Sequence, residues 1–255
     1  MEKELSVILP VYNEAQRLKG TLLEILDYLR LKRYRFEILI VDDGSTDATV
    51  SIASLLEKDN PEIQLIRRAK NSGKGQAVKE GIEKAGYSYC LFMDADNSTS
   101  IREWDQFENF FEKGYQVVIG SRHLPGSRVV YPQPWPRRFL GTGYRFLCRH
   151  LLDLRLSDIN CGFKAYETSL AKSIYARVQA RDWTFDAEVF CLLRDDRIPS
   201  AEVPIHWEHR EKKAKAPAAK TVWDTFRNLL DIRGRYPLNG KKGIEKMVLT
   251  RTDEY

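Results

Sequence analysis

The sequence lacks the long apolar runs and paired cysteines typical of membrane-spanning or disulfide-rich proteins. No apolar run approaches the roughly 18 residues that a spanning helix requires, and stretches such as 7–11 have the length of a strand. The four cysteines lie far apart without a Cys-x-x-Cys pair, so we expect reduced, buried thiols and a cytosolic setting. Residues 1–4 lead directly into a strand-like run, and we expect neither a signal nor a transit peptide.

Two nucleotide-binding fingerprints and a zinc site are also missing. No Gly-x-Gly-x-x-Gly motif follows the first apolar run. The glycine-bearing segment 71–75 is not a Walker loop, because Arg68 stands where the first glycine would fall. His206 and His209 have no matching carboxylate or cysteine set, so we interpret them as surface residues.

The charge of the chain is unevenly distributed. Of the 255 residues, 43% are hydrophobic and 30% are charged, which excludes disordered and collagen-like proteins. Residues 207–255 hold 12 Lys/Arg against 7 Asp/Glu and account for the whole net charge of +5. An excess confined to one end indicates a local anionic partner rather than a nucleic acid, although a solvated tail would have the same composition.

Short apolar runs alternate with amphipathic stretches over the first 120 residues. The predicted strands are 5–11, 36–41, 63–66, 89–93 and 115–119. Apolar strands that alternate with helices are typical of an α/β fold with a mostly parallel central sheet flanked by helices. Ligands bind at the carboxyl ends of such strands, and a polar motif follows nearly every one of them.

The second half is less regular. A Gly/Pro/aromatic loop is expected at 125–136, followed by helices at 139–152, 169–178 and 185–195 and strands at 159–166 and 201–207. We predict one α/β domain over residues 1–210. Residues 211–255 are expected to form a basic linker, an amphipathic helix at 221–233 and a tail.

Carboxylates end two of the predicted strands. Asp94 and Asp96 follow the fourth strand, where hard cations such as Mg²⁺ or Mn²⁺ could bind, although a solvated turn would also explain them. Asp42 and Asp43 follow the second strand, and we expect one to bind a nucleoside and the other to cap the next helix.

Basic residues point to anionic ligands. Lys74 and the backbone N–H groups of 71–75 could meet an anion, although glycine there could also serve a purely local turn. A cluster after the fifth strand indicates a second anionic substrate or, alternatively, a solvated helix face. Its members are Arg122, His123, Arg128, Arg137, Arg138 and Arg145. Trp183, Asp186 and Glu188 could border the site, although helix capping explains both acids equally well.

In this order, four segments resemble those of family 2 glycosyltransferases, which are inverting enzymes with the GT-A fold. The segments are 7–14 (VILPVYNE), 41–47 (VDDGSTD), 71–75 (NSGKG) and 93–96 (MDAD). Two later segments, 120–122 (GSR) and 158–164 (DINCGFK), resemble the polyprenyl-phosphate subgroup. Within it, DINCGFK together with 183–188 (WTFDAE) is most similar to dolichyl-phosphate glucosyltransferases. The resemblance covers about residues 5–235 and implies a GT-A, Rossmann-like fold.

The resemblance implies a role for each matching residue. The residues expected to hold the nucleoside are Pro10, Tyr12, Glu14 and one of Asp42 and Asp43. Those expected at the donor diphosphate, with Mg²⁺ or Mn²⁺ as cofactor, are Lys74, Asp94, Ala95 and Asp96, with Asp96 binding the metal directly. Those expected at the acceptor phosphate are Arg122, Arg137, Arg138 and Lys164. One departure leaves the second metal ligand open, because Asn97, Ser98 and Thr99 replace the residues usual in mannosyl relatives.

The implied reaction is transfer of a hexose, expected to be glucose from UDP-glucose, to a polyprenyl or dolichyl phosphate. A phosphate monoester has a second pKa of about 6, so its attacking oxygen is already ionised and needs no strong base. Arg122, Asp96 and Asp158 are the residues expected to act in catalysis. Asp158 is a base candidate by position, but we favour a role in orienting Arg122 or Lys164.

A lipid acceptor would explain the basic end of the chain. Val222, Phe226, Leu229 and Leu230 share one face of the predicted last helix, with basic residues nearby, which is typical of a helix lying on a membrane surface. The alternative is a helix that docks on the domain's own core. We expect a cytoplasmic protein, peripheral on the cytosolic face of a membrane, and leave open whether a separate membrane subunit anchors it.

Three other interpretations remain open. The donor could be GDP-mannose. The acceptor could be a hydroxyl group in polysaccharide synthesis, which would require a base, with Asp186 or Glu188 as candidates, and would not depend on the Arg122 cluster. A nucleotide-sugar-binding scaffold without catalysis would not need both the carboxylates and the arginines that the chain contains.

Overall fold

The computed structural model describes residues 4–131, 135–208 and 219–238. The strands are β1 (Glu4–Val11), β2 (Arg35–Asp42), β3 (Ile63–Arg67), β4 (Tyr89–Met93), β5 (Val117–Ser121), β6 (Arg128–Val129), β7 (Phe163–Glu167), β8 (Ser200–Pro204) and β9 (His206–Trp207). The helices are α1 (Leu18–Leu31), α2 (Thr49–Asp59), α3 (Lys74–Lys84), α4 (Trp104–Glu112), α5 (Trp135–Leu152), α6 (Thr168–Arg177), α7 (Phe185–Asp195) and α8 (Ala219–Arg235). A 3₁₀ turn, Ile101–Glu103, precedes α4.

Seven strands form one sheet in the order β3-β2-β1-β4-β7-β5-β8, and β6 pairs with β9 beside it. Within the large sheet only β7 runs antiparallel to its neighbours, β4 and β5. The predicted α/β class and mostly parallel sheet are therefore confirmed. The reversal of β7 was not predicted, and it brings the start of β7 beside the end of β4, since Phe163 pairs with Met93.

The apolar runs form strands because both faces of the sheet are covered. In β2, Ile38 and Ile40 pack into one core, whereas Leu39 and Val41 pack into the core on the opposite face. Successive side chains of a strand point to opposite faces, so a strand buried on both sides must be apolar at every position.

Three segments differ from the prediction. The strand predicted at 201–207 is divided into β8 and β9, which lie in different sheets. No element was predicted for residues 101–112, where α4 buries Trp104, Phe107 and Phe111 at helical spacing. The segment 125–136, predicted as a loop, contains β6, and α5 begins at Trp135 rather than at residue 139. The short strand β6 forms because it pairs with β9. Since β9 lies far along the chain, the local sequence does not reveal this pairing.

Helix α8 confirms the predicted C-terminal helix but not its predicted apolar face. Leu229 and Ile232 are fully buried in the core that also receives α5 and α7, whereas Val222 and Leu230 are exposed. The sequence left open whether α8 lies on a membrane surface or docks on the domain's own core. The side of α8 that carries Leu229 docks on the core. The predicted linker and tail fall largely on residues 209–218 and 239–255, which lie outside the described residues, and the boundary at residue 210 stays a prediction.

Candidate active site

Asp94 stands at the carboxyl end of β4 and is fitted closely against the start of β7. Its N–H donates to the carbonyl oxygen of Gly162 over 2.9 Å. A Cβ atom at position 162 would lie 1.9 Å from Oδ2 of Asp94, so the carboxylate can occupy this place only above a glycine. The antiparallel insertion of β7 thus positions Asp94 beside Gly162.

Asp96 lies two residues further along the same turn. One of its carboxylate oxygens accepts the N–H of Ser98 over 2.9 Å. Burial, and next the charge of Asp94, raises the pKa of Asp96. Two carboxylates that repel each other in a partly buried turn have the donor chemistry that fits a hard divalent cation, with phosphates and water completing its coordination. In the described part of the chain no group of three or more His, Cys, Asp or Glu side chains gathers around a metal-sized site.

The residues around this turn are held by α1. The hydroxyl of Thr21 donates to the carbonyl oxygen of Ala95 over 2.8 Å. The amide nitrogen of Asn97, whose presence leaves the second metal ligand open, donates to Glu24 over 2.5 Å. Asn97 adopts a positive φ of 54°, which asparagine tolerates better than most residues. The conformation of the turn around Asp96 is therefore held by hydrogen bonds to a helix that is distant in the chain.

Lys74 begins α3 and reaches the same edge of the sheet. Its ammonium lies 2.7 Å from Oδ1 of Asp94 and 5.1 Å from the centre of the Phe92 ring. The preceding Gly73 has a φ of +100°, and a Cβ there would lie 2.4 Å from the carbonyl oxygen of Arg181. The glycine is thus required both by the backbone and by the close approach of the chain before α7. The structure brings Lys74 next to Asp94, and the binding of an anionic ligand by Lys74 stays a prediction.

Asp42 and Asp43 both have partners within the protein. The two carboxylate oxygens of Asp43 accept the N–H groups of Ser72 and Gly73 over 2.9 and 2.8 Å, so Asp43 shapes the loop that carries Lys74. Asp42 accepts the N–H of Ser45 over 3.2 Å and caps the turn after β2. The prediction that one of the two aspartates caps the next helix is therefore wrong, because both carboxylates bind N–H groups of loops and Asp47 accepts the N–H of Thr49 at the start of α2 over 2.9 Å. The role of Asp42 or Asp43 in binding a nucleoside stays a prediction.

The segment after β1 approaches the carboxylates from another side. Glu14 is paired with Arg17 at 2.8 Å, and its pKa is raised by burial, with Asp96 and Asp94 contributing. Tyr12 is 47% exposed, and Pro10 lies at the end of β1. The structure therefore places Pro10 on the strand next to β4, and Tyr12 and Glu14 in the turn that follows that strand.

Arg122 and Asp158 form a paired unit after β5. Nε and one terminal nitrogen of Arg122 donate to the two oxygens of Asp158 over 2.6 and 2.8 Å, and the backbone N–H of Arg122 donates over 3.1 Å. Burial would raise the pKa of Asp158, but the guanidinium outweighs it and the pKa lies below its usual value. A carboxylate that is ionised and engaged through both oxygens is a weak base. The arrangement fits the orienting role of Asp158 rather than that of a base.

A second carboxylate, that of Glu202, holds the backbone of the segment that carries Asp158. Glu202 of β8 is 2% exposed and accepts the N–H groups of Ser157 and Asp158 over 2.8 and 3.1 Å. The guanidinium carbon of Arg122 lies 5.4 Å from the centre of the Trp207 ring. Neither Glu202 nor Trp207 was predicted as a site residue. A lone acid inside an otherwise apolar strand is the signal that could have identified Glu202.

Arginines of α5 join this unit. Arg145 contacts the ring nitrogen of His123. Partial desolvation lowers the pKa of His123, and the charges of Arg145, Arg122 and Arg138 add to that effect against Asp158. These side chains therefore form one positive cluster. Arg137 is half-buried and Arg138 exposed at the start of α5, and Arg128 is exposed on β6.

The structure does not bring Lys164 to this cluster. Its side chain is fully buried, and its ammonium donates to the carbonyl oxygen of Cys161 over 2.6 Å and to Asp186 over 2.7 Å. Lys164 lies in the middle of the sheet, where it pairs with Phe92 and Ile119. The predicted contact of Lys164 with an acceptor phosphate is therefore absent in this structure, because an enclosed ammonium with two partners cannot reach a ligand.

Neither acid of the 183–188 segment is placed to act as a base. Asp186 is enclosed with Lys164. Glu188 accepts the N–H groups of Gln179 and Ala180 over 3.0 and 2.6 Å and the hydroxyl of Tyr236 over 3.1 Å. Trp183, by contrast, is partly exposed and packs on Tyr144 of α5 with ring centres 4.7 Å apart. It therefore contacts the helix that carries Arg137, Arg138 and Arg145.

Comparisons with known proteins give a consistent result. A family model described as glycosyl transferase family 2 matches residues 6–175. A dolichyl-phosphate beta-glucosyltransferase of Dictyostelium discoideum is 33% identical over 246 residues, which cover 92% of this chain and 75% of the relative. The human protein of the same name is 29% identical over 250 residues, which cover 92% of this chain and 76% of the relative.

Solved structures share the fold. Glucosyl-3-phosphoglycerate synthase of Mycobacterium tuberculosis superposes with a TM-score of 0.64 at 17% identity, covering 92% of this chain and 81% of that one. The same synthase with Mn²⁺, UDP and glucosyl-3-phosphoglycerate gives a TM-score of 0.63 at 16% identity, covering 92% and 80%. TarS of Staphylococcus aureus with UDP-GlcNAc gives 0.61 at 17% identity, covering 92% and 68%. At these identities the likeness concerns the fold alone.

Proposed function

The chain belongs to glycosyl transferase family 2, and from this membership we propose that it is a hexosyltransferase that moves glucose to dolichyl phosphate. The names of the curated relatives support glucose and dolichyl phosphate. We propose UDP-glucose as the donor and inversion at the anomeric carbon as the stereochemical course.

The observation that carries the proposal is the juxtaposition of two zones of opposite charge. The carboxylates Asp94 and Asp96 lie at the end of β4, and the Arg122 cluster follows β5, one strand beyond β7. Burial lowers the pKa of Arg122, but Asp158 and, to a smaller extent, the charge of Asp94 raise it above its ordinary value. Such a pair of zones suits two anionic substrates, one held through a cation and the other held by arginines.

The reaction requires the protein to hold two anions in line rather than to remove a proton. An oxygen of the acceptor phosphate, ionised at neutral pH, forms a bond to the anomeric carbon while the bond from that carbon to the diphosphate oxygen breaks, and UDP departs with the electron pair. Arg122, kept in place by Asp158 and Glu202, would orient the acceptor phosphate together with Arg137 or Arg138.

The donor side would depend on the carboxylates. Asp94 and Asp96 would hold Mg²⁺ or Mn²⁺, which when bound stabilises the charge on the departing diphosphate. The complex of a structural neighbour with Mn²⁺ and UDP supports the choice of a divalent metal. Lys74, whose ammonium lies 2.7 Å from Asp94, would pair with the diphosphate. Pro10, Tyr12, Glu14 and Asp42 or Asp43 would border the nucleoside.

The lipid acceptor implies work at a membrane surface. No helix in the described ranges has both the length and the apolar character needed to cross a bilayer. We propose peripheral attachment on the cytosolic side, since all four cysteines are free and buried, with the basic α8 region contributing.

The test is transfer of radiolabel to extractable lipid by purified protein with dolichyl phosphate and Mn²⁺. UDP-glucose and GDP-mannose are compared, each with an EDTA control. We expect label in lipid from UDP-glucose that EDTA abolishes. Label only from GDP-mannose would overturn the proposal that glucose is the transferred sugar. Donor hydrolysis without labelled lipid would favour a hydroxyl acceptor.

A matched pair of variants tests the metal site. Asp96→Asn should lower turnover by more than about a hundredfold, because even outer partners of metal ligands typically matter by tenfold to a hundredfold. Asp59→Asn, at an exposed acid at the end of α2, should not change turnover. A fully active Asp96→Asn variant would mean that the metal is held elsewhere.

A further inference from the structure

Helix α5 exposes a row of aromatic side chains that its packing does not use. Trp135 is 78% exposed, Phe139 74% and Phe146 59%. Their spacing of four and seven residues places them on one side of the helix, within about 40° of each other at 3.6 residues per turn. We call these three residues the aromatic stripe. The helix is attached to the core by other residues, Tyr144, Cys148 and Leu152, which are buried.

The charge on α5 has one sign only. Its 18 residues include four arginines and His150 but neither aspartate nor glutamate. Arg138, Arg145 and Arg149 lie along one border of the aromatic stripe, about 40–80° around the helix from Trp135. A helix with exposed aromatics on one side and basic residues beside them is typical of binding in the plane of an anionic membrane surface.

The arginine row also connects the stripe to the candidate active site. Arg145 contacts His123, and the charge of Arg138 acts on His123 next to Arg122. The arginine row, formed by Arg138, Arg145 and Arg149, therefore lies between the aromatic stripe and the side of α5 that is buried against the core, and through Arg145 it reaches His123 beside Arg122. In a bilayer the lipid phosphates likewise lie directly beside the hydrocarbon chains, so a helix with its aromatic stripe at the headgroup boundary would have its arginines at the level of the phosphates.

We propose that the aromatic stripe of α5 inserts into the headgroup boundary of an anionic bilayer and so presents the Arg122 cluster to phosphates at the membrane surface. This inference deepens the proposed function, on which its lipid-acceptor part rests. It assigns the main membrane contact to α5, whereas the sequence pointed to the C-terminal helix. The arginine row complements anionic lipid, and an exposed aromatic patch of this extent is unusual on a protein that has no partner there.

The test measures sedimentation of the full chain with vesicles of phosphatidylcholine, with and without phosphatidylserine. The variant Trp135→Ser/Phe139→Ser/Phe146→Ser should bind vesicles that contain phosphatidylserine at least about tenfold more weakly than wild type. Serine and phenylalanine have similar helix propensities, so the helix should persist, which an unchanged unfolding midpoint verifies.

A control variant removes equally exposed leucines elsewhere. Leu31 and Leu55, on α1 and α2, are 79% and 62% exposed, and Leu31→Ser/Leu55→Ser should bind like wild type. Arg149→Glu tests the charge, and we expect a loss of more than about tenfold on anionic vesicles, since each basic residue near such a surface contributes about fivefold. Equal binding by wild type and the triple variant, or no binding of wild type to either vesicle, would overturn the proposal.

A second measurement separates this inference from the proposed function. With a water-soluble, short-chain polyprenyl phosphate and no vesicles, the triple variant should turn over like wild type. With dolichyl phosphate in vesicles its transfer should fall in parallel with its binding. If wild type transfers sugar to neither acceptor, the proposed function fails. The sedimentation result still decides whether the aromatic stripe binds the membrane. If both acceptors are used equally well by both proteins, the stripe is refuted and the function stands.

Discussion

Replacing Asp158 with alanine should lower the free energy of unfolding by about 3–5 kcal/mol, because it leaves a largely buried guanidinium without its carboxylate. The Asp158 side chain is 3% exposed and that of Arg122 19%, and three hydrogen bonds of 2.6–3.1 Å join the two residues. The surface pair of Asp153 and Arg155, separated by 3.4 Å with Arg155 65% exposed, is the matched comparison. Arg155→Ala, which removes this pair without changing the residue of positive φ at position 153, should cost about 0–1 kcal/mol.

The assay is urea unfolding followed by tryptophan fluorescence, with thermal unfolding as a second measure. For a chain of this size each kcal/mol shifts the melting temperature by about 2–4 °C, so Asp158→Ala should melt about 6–20 °C below wild type. The pKa of Asp158 is lowered in the folded state from its usual 3.8. Its stabilising contribution is therefore complete above that value and is lost as the pH falls through the folded-state pKa. The difference between wild type and variant should shrink at acid pH.

The same variant has a functional consequence. An Arg122 without its partner should bind the acceptor phosphate in a less defined orientation, so KM for the acceptor should rise and kcat should fall, whereas hydrolysis of the donor in the absence of acceptor should change little. An unfolding free energy of Asp158→Ala within about 1 kcal/mol of wild type, or equal to that of Arg155→Ala, would refute the reasoning from the buried pair.

Three further predictions concern the surroundings of the site. Gly162→Ala should lower turnover by at least about a hundredfold and raise the metal concentration needed for activity, because its Cβ would lie 1.9 Å from Asp94; an unchanged metal titration would contradict this. Lys164→Met should cost about 3–5 kcal/mol in urea unfolding by leaving Asp186 buried without its partner, and Lys164→Met/Asp186→Leu should recover most of that loss. Glu188→Gln should transfer sugar to lipid phosphate within about threefold of wild type; a loss of the size typical for a general base, about 10²–10⁴-fold, would revive the hydroxyl acceptor.

The main features of the fold were predictable from local patterns. The near-continuous apolar runs of β1, β2, β4 and β5 indicated strands buried on both faces, and the alternation with helices indicated the parallel sheet. The carboxylates after β2 and β4 followed from the rule that ligands bind at strand ends. These inferences succeeded because each depends on residues that are neighbours in the chain.

Other features depend on contacts between distant segments. Lys164 carries the charge expected of a phosphate ligand, yet its strand lies in the middle of the sheet and its ammonium meets Asp186. The apolar face of α8 was misjudged because Leu229 and Ile232 find their partners on α5 and α7. Glu202 was overlooked because its two N–H partners lie about 45 residues earlier in the chain.

The amino-acid sequence alone determines where most of the strands and helices form and which polar residues end the central strands, since hydrophobic periodicity and turn chemistry act over a few residues. The order of the sheet, with β7 reversed between β4 and β5, is decided only in the tertiary structure. That reversal places Gly162 against Asp94 and encloses Lys164. Asp94 therefore lies at the candidate active site, whereas the charged side chain of Lys164 lies in the core. Burial and the partners in space, rather than residue type, decide whether a charged side chain can meet a ligand.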